Sequence, residues 1–289
     1  MVYEDRVTSL AMVFRPQLPP ERLRGYVRVV EDTGFDELWV WEDCFLESGI
    51  ATAATALALS ERMRIGVGLL PVPLRNVALA TMEAATLYRL FGDRVLLGLG
   101  HGVQDWMGQV GARVESPVTL LREYAVAMRS LLAGERVTTE GRYVQLRDVE
   151  LGWPPATVPP LYVGATGPKS VRLTGEVADA TILTSATTPD TLRKARELIA
   201  AGRAAAGRTG DHHVVVSLLA ATGEGAAERI AAEHEGADAG VAGNGEQVAE
   251  AVRLLAEAGA DTVVLQPTAD EPDPEGFVRF AAEQVRPLI

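Results

Sequence analysis

Eight short apolar, β-branched runs, each followed by a stretch with helical periodicity, set the strongest limit on what this chain can become. RVTSLAMVF (6–14), ELWVWE (37–42), RIGVGLLP (64–71), RVLLGLG (94–100), LYVGA (161–165), DATILT (179–184), HHVVVSLLA (212–220) and DTVVLQP (261–267) read as buried strands. Between them lie amphipathic segments. The first opens at Pro19-Pro20, sets Leu23, Tyr26, Val27 and Val30 at i, i+3, i+4 and i+7, and stops at Gly34. Further helices are predicted over 51–63, 78–91, 119–134, 168–177, 189–206 and 275–285, and over 223–258 with a break at GADAGVAGNG. Strands alternating with helices need parallel pairing, and a count of eight predicts a closed (β/α)8 TIM barrel in a single domain, 1–289. The alternative is a doubly wound open sheet, but no early G-x-G-x-x-G supports it. Two departures from the beat are expected: an extended loop after the fourth strand (101–117), and a small hairpin (136–151) with Gly141 near its turn, before the fifth.

The net charge of −12 argues against nucleic acid as a partner, because neutralising phosphates needs a basic face. A single cysteine, Cys44, precludes an intrachain disulfide and suits a reducing cytoplasm. The N-terminal MVYEDRVTSL lacks the basic and apolar regions of a secretory signal, and no apolar run reaches membrane-spanning length. A cytoplasmic protein with no membrane partner is therefore expected. No H-E-x-x-H or C-x-x-C spacing occurs, so no metal is expected.

In a barrel the chemistry collects at the C-terminal ends of the strands. VGATGPKS (163–170) joins the fifth strand to its helix and holds Lys169, one of only two lysines, the other being Lys194. Gly164, Ala165, Thr166, Gly167, Pro168, Lys169 and Ser170 make a phosphate cradle: helix N-terminal amides point outward, glycines admit an anion, hydroxyls donate, and Lys169 adds charge. An ordinary strand-to-helix turn also uses Gly and Pro, and that reading stays open. At the second strand end, Glu42 and Asp43 are candidate acids or bases, against solvated loop carboxylates or a helix cap. Cys44 reads as a small buried thiol. His101, between glycines at the end of the fourth strand, is a candidate for proton transfer, against a loop histidine with no role. Phe14, Trp41 and Trp106 are expected to shape an apolar substrate pocket. His212 and His213 begin the seventh strand, on the face that serves stability.

Taken in order, GFDELWVWEDCF (34–45), RIGVGLLPVPLRNVALATMEAATLYRL (64–90), RVLLGLGHGVQDWMGQVG (94–111), VGATGPKSVRLTGEVADATIL (163–183) and NGEQVAEAVRLLAEAGADTVVL (244–265) resemble the motifs of the bacterial luciferase-like flavin-dependent superfamily. The resemblance covers nearly the whole chain. It implies a (β/α)8 barrel that binds coenzyme F420 (8-hydroxy-5-deazaflavin) or FMN at its mouth, with Gly164 to Ser170 on the coenzyme phosphate. Gly68-Leu69 would be the family's non-prolyl cis peptide behind the ring. Asp43 stands where many members carry a histidine, and His101 where some deazaflavin-dependent members carry a glutamate. The missing histidine at the second motif leaves the family's proton-transfer assignment open. The segment 236–245 is what remains of a substrate lid.

The deazaflavin branch is the closer match. It implies an oxidoreductase moving a hydride between coenzyme F420 and a small organic substrate, as a homodimer. The alternatives are an FMN-dependent monooxygenase fed by a flavin reductase, and a non-catalytic flavin-binding protein. A Schiff-base aldolase has no lysine beyond Lys169 and Lys194 to work with.

Overall fold

The computed structural model describes residues 8–233 and 240–289. Eight parallel strands form a closed ring: β1 Ser9–Phe14, β2 Glu37–Val40, β3 Arg64–Pro71, β4 Val95–Gly100, β5 Tyr162–Gly164, β6 Ala180–Leu183, β7 His213–Ala221 and β8 Thr262–Gln266. Neighbours in sequence are neighbours in the ring. It closes where β8 lies beside β1, with Ser9 opposite Thr262 and Met12 opposite Leu265. The expected TIM barrel is therefore present.

Helices α1 Leu23–Asp32, α2 Gly49–Leu59, α3 Val77–Phe91, α4 Gln104–Gln109, α5 Pro117–Leu132, α6 Pro168–Val177, α7 Pro189–Ala205, α8 Ala226–Glu233, α9 Gly245–Glu257 and α10 Pro274–Phe280 surround the ring. The stretch after β4 holds the short α4, and Val137–Glu140 pairs antiparallel with Gln145–Val149 as the expected hairpin. Of the proposed lid at 236–245, residues 236–239 lie outside the described residues; Val241–Ala242 bridges to β7 and Gly245 opens α9. Residues 6–7 of the first predicted strand also lie outside. Among the described residues no helix is long and apolar enough to cross a membrane.

Successive strand residues face opposite ways, and two cores result. Ala11, Val13, Trp39, Leu96, Tyr162, Ala180, Ile182, Val215 and Val264 fill the lumen. Leu10, Met12 and Phe14 point outward into the larger core under the helices. Trp39 dominates the lumen. Its indole Nε1 donates to Glu37 at 3.0 Å, and Glu37 is ion-paired with Arg64. Gly66 is glycine for this reason: a Cβ there would lie 2.4 Å from the Trp39 ring.

Candidate active site

β3 makes the cavity floor. Its pairing with β4 slips between Val67 and Leu70, and the Gly68–Leu69 peptide within the slip is cis, as the family resemblance implied. The irregularity sends the Leu69 side chain across the ring. Cβ atoms built at Gly100 and Gly164 would lie 2.4 and 2.2 Å from it. Gly164 is thus small because Leu69 packs against it, a reason separate from the cradle reading.

The rest of that turn behaves as a helix start with donors to spare. Gly167 is the N-cap of α6 with extended backbone, no side chain caps the helix, and no acidic residue occupies its first turn. Pro168 takes the first helical position, where its missing N–H costs nothing. Among the described residues nothing lies within 4 Å of a Cβ placed on Gly167, which leaves room beside these amides. Thr166, Pro168 and Lys169 are exposed, while Ser170 is buried. Amides at the positive end of a helix dipole, with a lysine beside them, fit an anion.

Gly102, at φ 66°, turns the chain out of β4 and leaves His101 at the mouth. The His101 Nε2 sits 2.9 Å from Ser170 Oγ, linking the end of β4 to the first turn of α6. Burial holds its pKa below the usual histidine value, partly offset by a backbone hydrogen bond at Gly102. Across the mouth, Asp43 follows β2. Burial raises its carboxyl pKa, and the Arg15 guanidinium opposes this. Arg15 itself is buried over the Trp41 ring at 5.6 Å, donates to the Pro267 carbonyl at 2.8 Å and pairs with Glu233.

A cavity of about 460 Å³ joins these parts. Its lining brings together Trp41, Asp43, Gly68, Leu69, His101, Trp106, Gly164, Ala165 and Thr166 from the sequence candidates. Gly167, Pro168, Lys169 and Ser170 continue α6 beyond its edge.

Two candidates are corrected. Phe14 does not shape the pocket: it is fully buried on the outer face of β1, edge-to-face with Tyr26 at 5.4 Å. Strand alternation sends Val13 inward and Phe14 outward. Glu42 touches the lining but is not a free acid or base. Both its oxygens bind Arg75, and Oε2 also accepts the Gly49 N–H at 2.8 Å, so it anchors the start of α2. Cys44, read as buried, is partly exposed, and burial together with Glu42 raises its pKa.

Sequence reasoning assigned no role to Ser217 and Gln266, which also line the cavity with Thr184 and Ser185. A signal for Ser217 existed: it is the single hydroxyl in the buried run VVVSLLAA. Gln266 ends β8, and its Nε2 donates to Glu233 at 3.3 Å.

Fold and site together define a (β/α)8 barrel with its cavity at the C-terminal mouth, an uncapped helix N-terminus at one side and a cis-peptide floor. A family model described as luciferase-like monooxygenase matches residues 6–234, and the chain belongs to that family. The chain is 33% identical over 201 residues to the 5,10-methylenetetrahydromethanopterin reductase of Methanolobus tindarius, across 69% of this chain and 61% of that one. It is 30% identical over 210 residues to the F420-dependent glucose-6-phosphate dehydrogenase of Microbacterium testaceum, across 68% of this chain and 62% of the relative. The matched region thus spans about three fifths of these relatives. The fold superposes with TM-score 0.87 on an F420-dependent secondary alcohol dehydrogenase in complex with an F420-acetone adduct, at 20% identity over 98% of this chain and 99% of that one.

Proposed function

We propose that this protein is an oxidoreductase that moves a hydride between coenzyme F420 and a small organic substrate, as a cytoplasmic homodimer. One observation carries the reading: a single cavity runs from the cis Gly68–Leu69 floor to Thr166, which immediately precedes the uncapped N-terminus of α6. The curated relatives support the choice of coenzyme, since an F420-dependent dehydrogenase stands among them at 30% identity.

The residues fit such a group. The Lys169 and Ser170 amides and the Lys169 ammonium would hold its phosphate, and Leu69 would support its ring. A bound deazaflavin supplies hydride chemistry without readily activating oxygen. The protein's own task is orientation and proton handling. Asp43, half-buried and with a raised pKa, is the group that gives or takes the proton at the substrate. His101 is a positioning residue, since its ring nitrogen is held by Ser170. Trp41 and Trp106 wall the cavity against water.

Titrating the purified protein with F420 and with FMN, while following tryptophan emission, tests the proposal. Saturable quenching by F420 is expected, because two tryptophans line the cavity. Binding of neither coenzyme overturns the reading. Oxygen consumption with reduced FMN transfers it to a monooxygenase.

A further inference from the structure

The charge of the cavity is one-sided. Among the described residues no lysine or arginine lines it, and its two charged side chains are both carboxylates, Glu42 and Asp43. The two arginines that act on these carboxylates are already matched. Arg75 binds Glu42 and Glu83, while Arg15 binds Glu233 and the Pro267 carbonyl. Lys169 is exposed on α6, outside the lining, and is committed to the coenzyme's anionic end on the reading above. Burial disfavours the His101 cation. The hydroxyl and amide side chains facing the cavity are neutral: Thr166, Thr184, Ser185, Ser217 and Gln266.

An anion entering such a space gives up its hydration and gains no cation in return, which is among the costliest transfers in protein chemistry. It also meets Asp43. A neutral polar group loses little, because hydroxyl and amide partners replace water. A cation gains the Asp43 carboxylate.

We infer that the substrate part of this cavity takes uncharged or positively charged small molecules and excludes phosphorylated and carboxylated ones. The inference rests on the proposed F420-dependent activity and narrows it. It also separates this protein from its sugar-phosphate-oxidising relative, whose substrate carries a phosphate.

The test uses four ligands that share one ring: cyclohexylamine, cyclohexanol, cyclohexanecarboxylate and cyclohexyl phosphate. F420 loading is measured first, and each ligand is then titrated into loaded protein by calorimetry. The amine and the alcohol are expected to bind at least about tenfold more tightly than the carboxylate and the phosphate. In Asp43→Asn the amine should lose its advantage over the alcohol, while the phosphate stays weak. In Ser217→Arg, which places a cation in the lining, phosphate affinity should rise about tenfold or more. An anion that binds loaded wild-type protein as tightly as the alcohol overturns the inference alone, as does the absence of binding by all four. Failure to load F420 overturns the proposed activity and the inference with it.

Discussion

Asp43 and His101 face one cavity, but their surroundings give them different work, and substitution should separate them. Asp43 has a raised pKa and an open path to the cavity, whereas His101 spends its Nε2 on Ser170 at the start of α6. Asp43→Asn is therefore expected to lower kcat about a hundredfold or more, as loss of a general acid does, with F420 affinity unchanged. His101→Ala should weaken F420 binding by about five- to tenfold, the worth of one hydrogen bond, with a smaller effect on kcat. Stopped-flow rates and fluorescence titration read the two quantities separately. Arg15 supplies a third test. Its cation favours the Asp43 carboxylate, so removing it lets the proton bind more tightly and raises the Asp43 pKa further. In the reducing direction, where the acid must be protonated, Arg15→Met should move the alkaline limb of the kcat/KM profile to higher pH, and Arg15→Lys should restore it. A merely structural role for Arg15 would lower the rate without moving that limb. None of this coupling was legible in the sequence, because Arg15 meets Trp41 and Glu233 only after the ring closes. The Phe14 error was avoidable, since alternation along β1 already separates Val13 from Phe14.

Elements were easier to read than their ends. Helix α6 runs over the predicted 168–177 because Pro168 and Gly167 mark its start chemically. β2 stops at Val40 and not at the predicted position 42, because Glu42 leaves the strand to meet Arg75 and the Gly49 amide. That partner lies 33 residues away, so no local pattern announces it. The same holds for a directed chain of hydrogen bonds that ties α7, the residue before β7, β6 and α6 together. Arg203 has only donors, so the His212 Nδ1 must accept from it, at 3.3 Å. The His212 Nε2 then carries the proton and donates to Thr181 at 2.7 Å; Thr181 and Thr174 lie 2.5 Å apart, and Thr174 donates to the Val171 carbonyl at 2.8 Å. Burial, with Arg203 and Arg196 adding to it, pushes the His212 pKa down to about 4 from 6.5. The folded protein therefore stays unprotonated where the unfolded chain takes up a proton, and stability is lost as pH falls from about 6.5 towards 4. At pH 5 the loss from this residue is about 2 kcal/mol relative to pH 7. His212→Gln should be less stable at pH 7 but show a correspondingly flatter decline, measured by urea denaturation at both pH values. An unchanged slope would remove His212 from the account.

At the scale of the molecule, the barrel was legible because eight strands in chain order leave one simple way to close, whereas the surface it presents was not. VALATMEAATLYRLF reads as apolar nearly all round, and nothing in it distinguishes a residue facing the ring from one facing away. Closure makes the distinction. Val77, Ala80, Ala84, Ala85, Leu87 and Tyr88 turn inward, while Leu79, Met82, Thr86 and Leu90 form an outward stripe at helical spacing. Leu90 is 69% exposed and Trp153, stacked under Arg89 nearby, is 74% exposed. Large apolar side chains gathered on one helix face are a common mark of an association surface, and a second copy of the chain, in the homodimer proposed above, is the occupant we propose for it. Under that arrangement Met82→Glu combined with Leu90→Glu puts like charges across a two-fold contact and should yield a monomer, read by sedimentation equilibrium over a concentration series. The cavity is built from strand ends and not from the outward face of α3, so F420 affinity in the variant should stay within about twofold of the wild type. A wild-type protein that remains monomeric at about 100 μM, far above the working range of a stable dimer with an interface of standard size, would show that this stripe faces water.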